Sequence, residues 1–157
     1  LLTPELHLQK GYRRSQGLLF RKDDSNFTDF KSDFENAIQQ LINNPEVRMI
    51  NRNRGSGTRI LLDHLLTNQR PAGFFQEAKS HNSVAAAISQ NRADWGIAIR
   101  SVAEDLGLGF YPIQDEEYDF ILPKNRLERP EVALFLSLLQ ETDIQNKLAK
   151  FGLRTTN

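Results

Sequence analysis

The chain has 157 residues, 39% of them hydrophobic, with 20 Lys plus Arg against 20 Asp plus Glu. Zero net charge leaves no basic footprint for nucleic acid and no acidic tail, and the composition is that of a soluble globular protein of one ordinary domain or two small lobes. The lack of cysteine excludes disulfides, thiol catalysis and cysteine-based metal sites, and no apolar run reaches membrane-spanning length.

No signal peptide is visible, but the chain starts Leu1-Leu2-Thr3 without Met, so that absence carries no weight. Residues 1–14 are polar and lack a clear period, and Tyr12-Arg13-Arg14 reads as a solvated basic cluster. Residues 17–21 (GLLFR) predict a short buried strand. Asn26-Phe27-Thr28 matches a glycosylation triplet of the kind that arises by chance. Phe27, Phe30, Phe34, Ile38, Leu41 and Ile42 recur at helical spacing and predict a helix over 27–42, stopped by Asn43-Asn44-Pro45. Its aromatic stripe reads as core, with a partner surface as the alternative.

The run Val47-Arg48-Met49-Ile50 predicts a buried strand, and the apolar spacing over 60–66 predicts a helix. Between them lies NRNRGSGTR, residues 51–59. A helix start carries unpaired N–H groups and a partial positive charge, so it is a seat for an anion. Arg52, Arg54 and Arg59 add charge, and Ser56 or Thr58 can cap the helix or donate to a ligand. The plain alternative is a tight turn with a good cap. Neither a P-loop nor a dinucleotide fingerprint is present.

Pro71 and Gly73 mark a loop, and 75–79 predicts a short strand. Ser80-His81-Asn82-Ser83 opens an alanine-rich helix over 84–90, a second candidate anion seat. Residues 94–99 predict a buried strand with Arg100-Ser101 at its end, followed by a helix over 102–106 stopped by Gly107. Residues 109–113 and 118–122 predict two further strands, with Glu116, Glu117 and Asp119 as a solvated turn between them. Pro130 opens a helix over 131–140, and 142–151 predicts a last amphipathic helix ended by Gly152.

Strand and helix alternate over 47–113, which predicts a parallel sheet with helices on its faces. Ligands of such sheets bind at the carboxyl ends of the strands. The turn at Gly55, the start at Ser80 and Arg100-Ser101 all fall on that edge, which points to a small anionic ligand.

NRNRGSGTRILLDHLL and SHNSVAAAISQNRADWGIAIRSVAEDLGLGFYPIQDEEYDFILPK resemble the periplasmic-binding-protein-like domain fused to molybdopterin-biosynthesis proteins and helix-turn-helix regulators, related to molybdate- and tungstate-binding proteins. The resemblance covers about 12–152. It implies an α/β type II fold: a parallel-sheet lobe with helices on both faces, 23–117 with connecting segments, plus a partial first lobe of 1–22 and 118–157 whose upstream part is absent. It places Ser56, Gly57 and Thr58 (with Arg54 beside them) at one oxyanion seat, and His81, Asn82 and Ser83 at the other. Arg100 falls at the cleft, Tyr118 in a hinge strand and residues 14–17 near the other hinge strand.

The expectation is a binding or sensor domain, not an enzyme, without cofactor, metal, direct nucleic-acid or membrane binding. Its ligand is a small anion, molybdate- or tungstate-like or an organic acid. Its partner is a fused or separate DNA-binding or molybdopterin-biosynthesis domain, and a homodimer is an option because another chain can cover exposed surface of the partial lobe. The compartment implied is the cytoplasm, or the periplasm for a stand-alone transport receptor. An enzyme acting on a phosphorylated substrate would need His81 as base, since His7 and His64 lie elsewhere. An interaction module would need an exposed apolar patch, on the Phe27 helix or the final helices.

Overall fold

A computed structural model describes residues 3–28, 30 and 33–155. The chain divides into two compact units, one of Leu1–Ser15 with Asp115–Asn157 and one of Gln16–Gln114. Two long strands, β1 (Leu6–Phe20) and β5 (Gly109–Pro123), contribute to both.

The unit Gln16–Gln114 contains α1 (Phe34–Asn43), β2 (Met49–Arg52), α2 (Gly57–Leu66), β3 (Glu77–Ala78), α3 (His81–Ser89), β4 (Trp95–Ile99) and α4 (Arg100–Asp105). Its strand order is β3-β2-β4-β1-β5. β2 runs parallel to β3 and β4, while β1 is antiparallel to β4, with Gln16 opposite Ile99 and Leu18 opposite Ile97. The sheet is therefore mixed. The predicted strand at 109–113 does not join the parallel set; it is the start of β5 and lies beside β1.

Alternation along the strands builds two cores. Leu18, Met49, Trp95 and Ile97 pack with Ile38, Leu41 and Leu62 of α1 and α2. Leu19, Ile50 and Ala98 pack with Val84, Ala85, Ile88 and Val102 of α3 and α4. Side chains two apart share a face, so each buried strand serves both layers. Gly96 is one point of close approach. A Cβ there would lie 2.8 Å from Ile50 and 2.9 Å from Val84.

The predicted helix over 27–42 is shorter than its aromatic spacing suggests. α1 starts at Phe34, capped by Asp33, whose side chain accepts from the Asn36 N–H. Phe27 closes a 3₁₀ turn capped by Asp24, and residues 29 and 31–32 lie outside the described residues. Phe27 and Phe30 are 5% and 2% exposed, stacked with Phe20. The stripe is core, and the partner-surface alternative for it falls. Tertiary packing, rather than helical period, sets the spacing of these rings.

The unit Leu1–Ser15 with Asp115–Asn157 adds α5 (Pro130–Leu138), α6 (Thr142–Lys150) and β6 (Arg154–Thr155). β6 pairs with β1 at Tyr12 and Arg13. Here the structure corrects two expectations. The polar stretch before 14 is strand from Leu6 onward, and the acidic stretch 116–119 is strand, not turn. The two are opposite in charge and face each other. Arg14 Nε lies 2.6 Å from Glu116, Lys10 Nζ lies 3.3 and 3.2 Å from Glu117 and Asp119, and Arg13 pairs with Glu117. The ladder replaces the apolar alternation that marks most strands. No residue of α5 is buried, and Ile121, Leu134 and Phe151 are 58%, 59% and 69% exposed.

Candidate functional site

β2, β3 and β4 are parallel, so their carboxyl ends, Arg52, Ala78 and Ile99, share one edge of the sheet. The connections that follow are short, and α2, α3 and α4 all begin there. Everything described next lies within the unit Gln16–Gln114, except Tyr118 and Arg14.

At the start of α2, Ser56 is the N-cap. Its Oγ accepts from the Arg59 N–H at 3.2 Å and donates to the Asn53 carbonyl at 3.0 Å. The hydroxyl is thus committed to the turn rather than to a ligand. The Ser56 carbonyl takes the N–H groups of Arg59 and Ile60. The N–H groups of Gly57 and Thr58, at the first two helical positions, precede any intrahelical acceptor and are the ones left for an anion. Gly57 is exposed and Thr58 is 3% exposed.

α3 repeats the arrangement. Ser80 is the cap, accepting from the Ser83 N–H at 3.1 Å, and its hydroxyl lies 2.8 Å from that of Ser83. His81 and Asn82 occupy the first two helical positions. Arg52, 7% exposed, donates from Nη1 to His81 Nδ1 at 3.1 Å. Nη1 also lies 3.4 Å from His81 Nε2, so the guanidinium reaches both ring nitrogens. The contact ties the end of β2 to the start of α3. Sequence reasoning counted Arg52 among nearby charges without assigning it a place. Its position at the end of a buried strand, one residue after the fully buried Asn51, was the available signal.

The other arginines separate. Arg59 supplies no free charge to the turn. It is 7% exposed and bonds Asp63 Oδ1 at 2.7 Å, Glu77 Oε1 at 2.9 Å and the Arg52 carbonyl at 3.1 Å. Burial pushes its pKa down, but its hydrogen bonds to Asp63 and Glu77 outweigh this and hold it above the usual value. Arg54 is exposed and lines a cavity of about 300 Å³ on the flank of α2, together with Arg59, Asp63, Arg70, Phe74 and Phe75. Arg100 opens α4, with its guanidinium 4.5 Å from the centre of the Phe110 ring.

Tyr118 lies in the other unit. Its hydroxyl accepts from Arg14 Nη2 at 3.0 Å, and its ring stacks on Tyr12 at 5.5 Å.

The carboxyl edge also collects polar atoms that lack a protein partner. Gln16 Oε1, Asn53 Oδ1 and Arg100 Nε are buried without a hydrogen bond. Gln16 stands opposite Ile99 at the end of β4, Asn53 follows β2 directly, and Arg100 starts α4. Buried groups of this kind cost free energy unless something outside the chain satisfies them. Sequence reasoning placed Gln16 near a hinge strand and gave Asn53 no role. A polar residue beside the apolar run 17–20 and another just ahead of Gly-Ser-Gly were the only signals.

Residues 1–140 match the model of the PBP superfamily domain. The chain belongs to this family. Among PBP-family structures, it resembles the substrate-binding protein assigned to phosphate transport from Clostridium perfringens, solved with bound phosphate. The two are 14% identical with a TM-score of 0.68, over 100% of this chain and 76% of that one. A substrate-binding domain assigned to a molybdenum transporter of Clostridium difficile is 14% identical with a TM-score of 0.60, over 96% of this chain and 67% of that one. These likenesses establish the fold, a mixed α/β fold of the type II periplasmic-binding kind. In sequence, 84 residues are 36% identical to the uncharacterized protein YvgK of Bacillus subtilis (strain 168), which is 50% of this chain and 27% of that protein. The chain thus spans well under two thirds of this relative. No helix among the described residues is long and apolar enough to cross a membrane.

Proposed function

We propose that this PBP-family chain is a binding domain for a small oxyanion of the phosphate or molybdate type. The anion is held at the carboxyl edge of β2, β3 and β4. The observation that carries the reading is the meeting of two helix starts with the unpartnered Gln16, Asn53 and Arg100 atoms at that edge. The N–H groups of Gly57 and Thr58 form one seat, and those of His81 and Asn82 the other, flanked by Ser83. Arg100 supplies charge, and Arg52 orients His81. Ser56 acts by shaping the turn, not by touching the ligand. Two relatives of the fold assigned to phosphate and molybdenum transport support the ligand class. In a larger protein, such a domain would report or deliver the anion to a DNA-binding or molybdopterin-biosynthesis partner, as the family resemblance implies, and the cytoplasm would then be its compartment.

The experiment is a thermal-shift titration with phosphate, sulfate, molybdate and tungstate. A ligand bound only by the folded chain raises the midpoint with concentration. A rise that is lost in Ser56→Asp is expected. A flat response to all four anions refutes the proposal.

A second reading concerns the unit Leu1–Ser15 with Asp115–Asn157. The unburied α5 and exposed Ile121, Leu134 and Phe151 favour a contact with a second copy of the chain. Sedimentation velocity tests it. A monomer across the accessible concentration range contradicts it, as does a dimer unaffected by Leu134→Glu.

A further inference from the structure

The cavity of about 300 Å³ on the flank of α2 combines arginines with bare aromatic rings, and Arg54, expected beside the Ser56 turn, lines it. We propose that this cavity is a second binding site, for a nucleoside monophosphate, with the base on Phe75 and the phosphate held by Arg54 and Arg70. Binding there goes beyond the oxyanion reading and does not depend on it.

The rings are fixed by the sheet. Gly73, at φ 83°, packs so closely on the Met49 carbonyl that no Cβ would fit. The carbonyls of Ala72 and Gln76 accept from the N–H groups of Met49 and Asn51, both at 2.8 Å, and the Phe74 carbonyl accepts from Asn51 Nδ2 at 3.0 Å. Asn51 is fully buried, so the loop is tied to β2 on both sides of Phe74. Phe74 and Phe75 meet edge to face, with ring centres 5.2 Å apart. Phe75 is nevertheless 76% exposed. A bare ring on an anchored loop leaves little conformational freedom to be lost when a ligand binds. On the other side of the cavity, Thr67 and Asn68 end α2 at φ of 47° and 68°, a left-handed form uncommon for a β-branched residue.

Charge decides the class of ligand. Arg59 is a buried part of the lining, with its guanidinium 5.1 Å from the centre of the Phe74 ring. Its Nε and Nη1 are bonded to Asp63, Glu77 and the Arg52 carbonyl, while Nη2 makes no hydrogen bond among the described residues. Arg54 and Arg70 are exposed and form no ion pair among the described residues, and the Arg70 guanidinium lies 5.8 Å from the centre of the Phe75 ring. Against three arginines the lining sets one carboxylate, Asp63. A phosphate monoester carries nearly two negative charges at neutral pH, and guanidinium groups bind its oxygens in pairs. An amino acid fits less well, because its single carboxylate answers one arginine and its ammonium must compete with Arg59 for Asp63. A nucleobase supplies a flat face for Phe75 and N–H groups for Asp63 Oδ2, which makes no hydrogen bond among the described residues. The chain has zero net charge and so offers no track for a longer strand, which favours a mononucleotide.

The test is calorimetric titration of the 157-residue chain with AMP, GMP, UMP, adenosine, ribose 5-phosphate and tryptophan at fixed ionic strength. AMP should bind about tenfold or more tightly than adenosine or ribose 5-phosphate, the scale of one hydrogen bond to a charged group or of one stacked base. Arg70→Gln should weaken AMP by about tenfold and leave adenosine unchanged. Phe75→Ala should weaken AMP by roughly 5-fold to 100-fold. Both side chains are exposed, so both variants should melt as the original chain does and keep any stabilisation by inorganic phosphate. Ser80→Asp, which charges the start of α3, should leave AMP affinity unchanged. The site is refuted if none of the three nucleotides binds, if adenosine or ribose 5-phosphate equals AMP, or if tryptophan binds more tightly than AMP. It is equally refuted if Arg70→Gln or Phe75→Ala leaves AMP affinity unchanged, or if Ser80→Asp abolishes AMP binding, which would place the nucleotide at the carboxyl edge. AMP binding beside a flat response to all four inorganic anions would keep this site and refute the oxyanion reading; the reverse pattern would refute this site alone.

Discussion

Replacing Ser56 by Asp separates the stability of the α2 start from its capacity to hold an anion. The carboxylate can still accept from the Arg59 N–H, the bond that Ser56 Oγ makes at 3.2 Å, but it cannot donate to the Asn53 carbonyl. The cap is retained, and a negative charge at a helix start adds about 0.3–1 kcal/mol of stability. Ser56→Ala, which removes both bonds, costs about 0.5–2 kcal/mol. A bound anion near the Gly57 and Thr58 N–H groups would lie on the order of 4 Å from the new charge. Repulsion between unit charges at that distance is about 1 kcal/mol in water and about 4 kcal/mol at an effective dielectric of 20. Ser56 is half-buried, so the loss per unit of charge on the ligand falls between these bounds, roughly 5-fold to 10³-fold in affinity. Urea melts with and without ligand measure both quantities. Ser56→Asp should match or exceed the original chain without ligand and show little stabilisation by phosphate. Unchanged ligand stabilisation in Ser56→Asp would refute the seat at this turn.

Further predictions follow from the packing and the ion pairs. Phe30→Ala, at a 2% exposed ring stacked on Phe20 and Phe27, should cost about 3–5 kcal/mol in chemical denaturation; a change under about 1 kcal/mol would mean that this stripe is not core. Gly96→Val should destabilise by about 1–3 kcal/mol or more, since even its Cβ would press on Ile50 and Val84, and it should do so without altering anion preference in the folded fraction. The hydrogen bond from Lys10, aided by Arg13, holds the Glu117 carboxyl below its usual range, and the bonds to Asp119 and Glu117 raise the Lys10 ammonium. The Glu117 contribution is present above the ordinary carboxylate range and lost as pH falls through the lowered value. That of Lys10 is present below the ordinary lysine range and lost as pH rises through the raised value. Lys10→Met should therefore flatten the pH dependence of melting at both the acid and alkaline ends, and high salt should mimic it.

How far the sequence discloses this molecule depends on what marks each element. β2, α2, β4 and α3 stand out because Met49, Ile50, Leu62, Leu66, Trp95 and Ile97 follow simple periods and Ser56 and Ser80 are strong caps. β1 and β5 do not, because their outer halves are held by Lys10, Arg13 and Arg14 against Glu116, Glu117 and Asp119. Taken singly, each cluster looks solvated; only their complementarity reveals a strand pair. The aromatic spacing over 27–42 overstates the helix because Phe27 and Phe30 enter the same core from a 3₁₀ turn and its flank. At the site, the two helix starts are legible as Gly-Ser-Gly-Thr and Ser-His-Asn-Ser. The fates of the arginines are not. Whether Arg52 meets His81 or Arg59 meets Glu77 depends on which strands are neighbours, and a single sequence does not state that. Gln16 and Asn53 are silent for the same reason: an unpartnered amide is a property of the packed structure.

The central claim is that an oxyanion sits at the starts of α2 and α3, and backbone amide NMR during a phosphate titration tests it most directly. The account predicts saturable shifts at the N–H groups of Gly57, Thr58, His81 and Asn82, with the Gln16 side-chain amide moving in step. Shifts confined to Arg54, Arg70 and Phe75 around the α2-flank cavity, or none at the two helix starts at saturating phosphate, would contradict it.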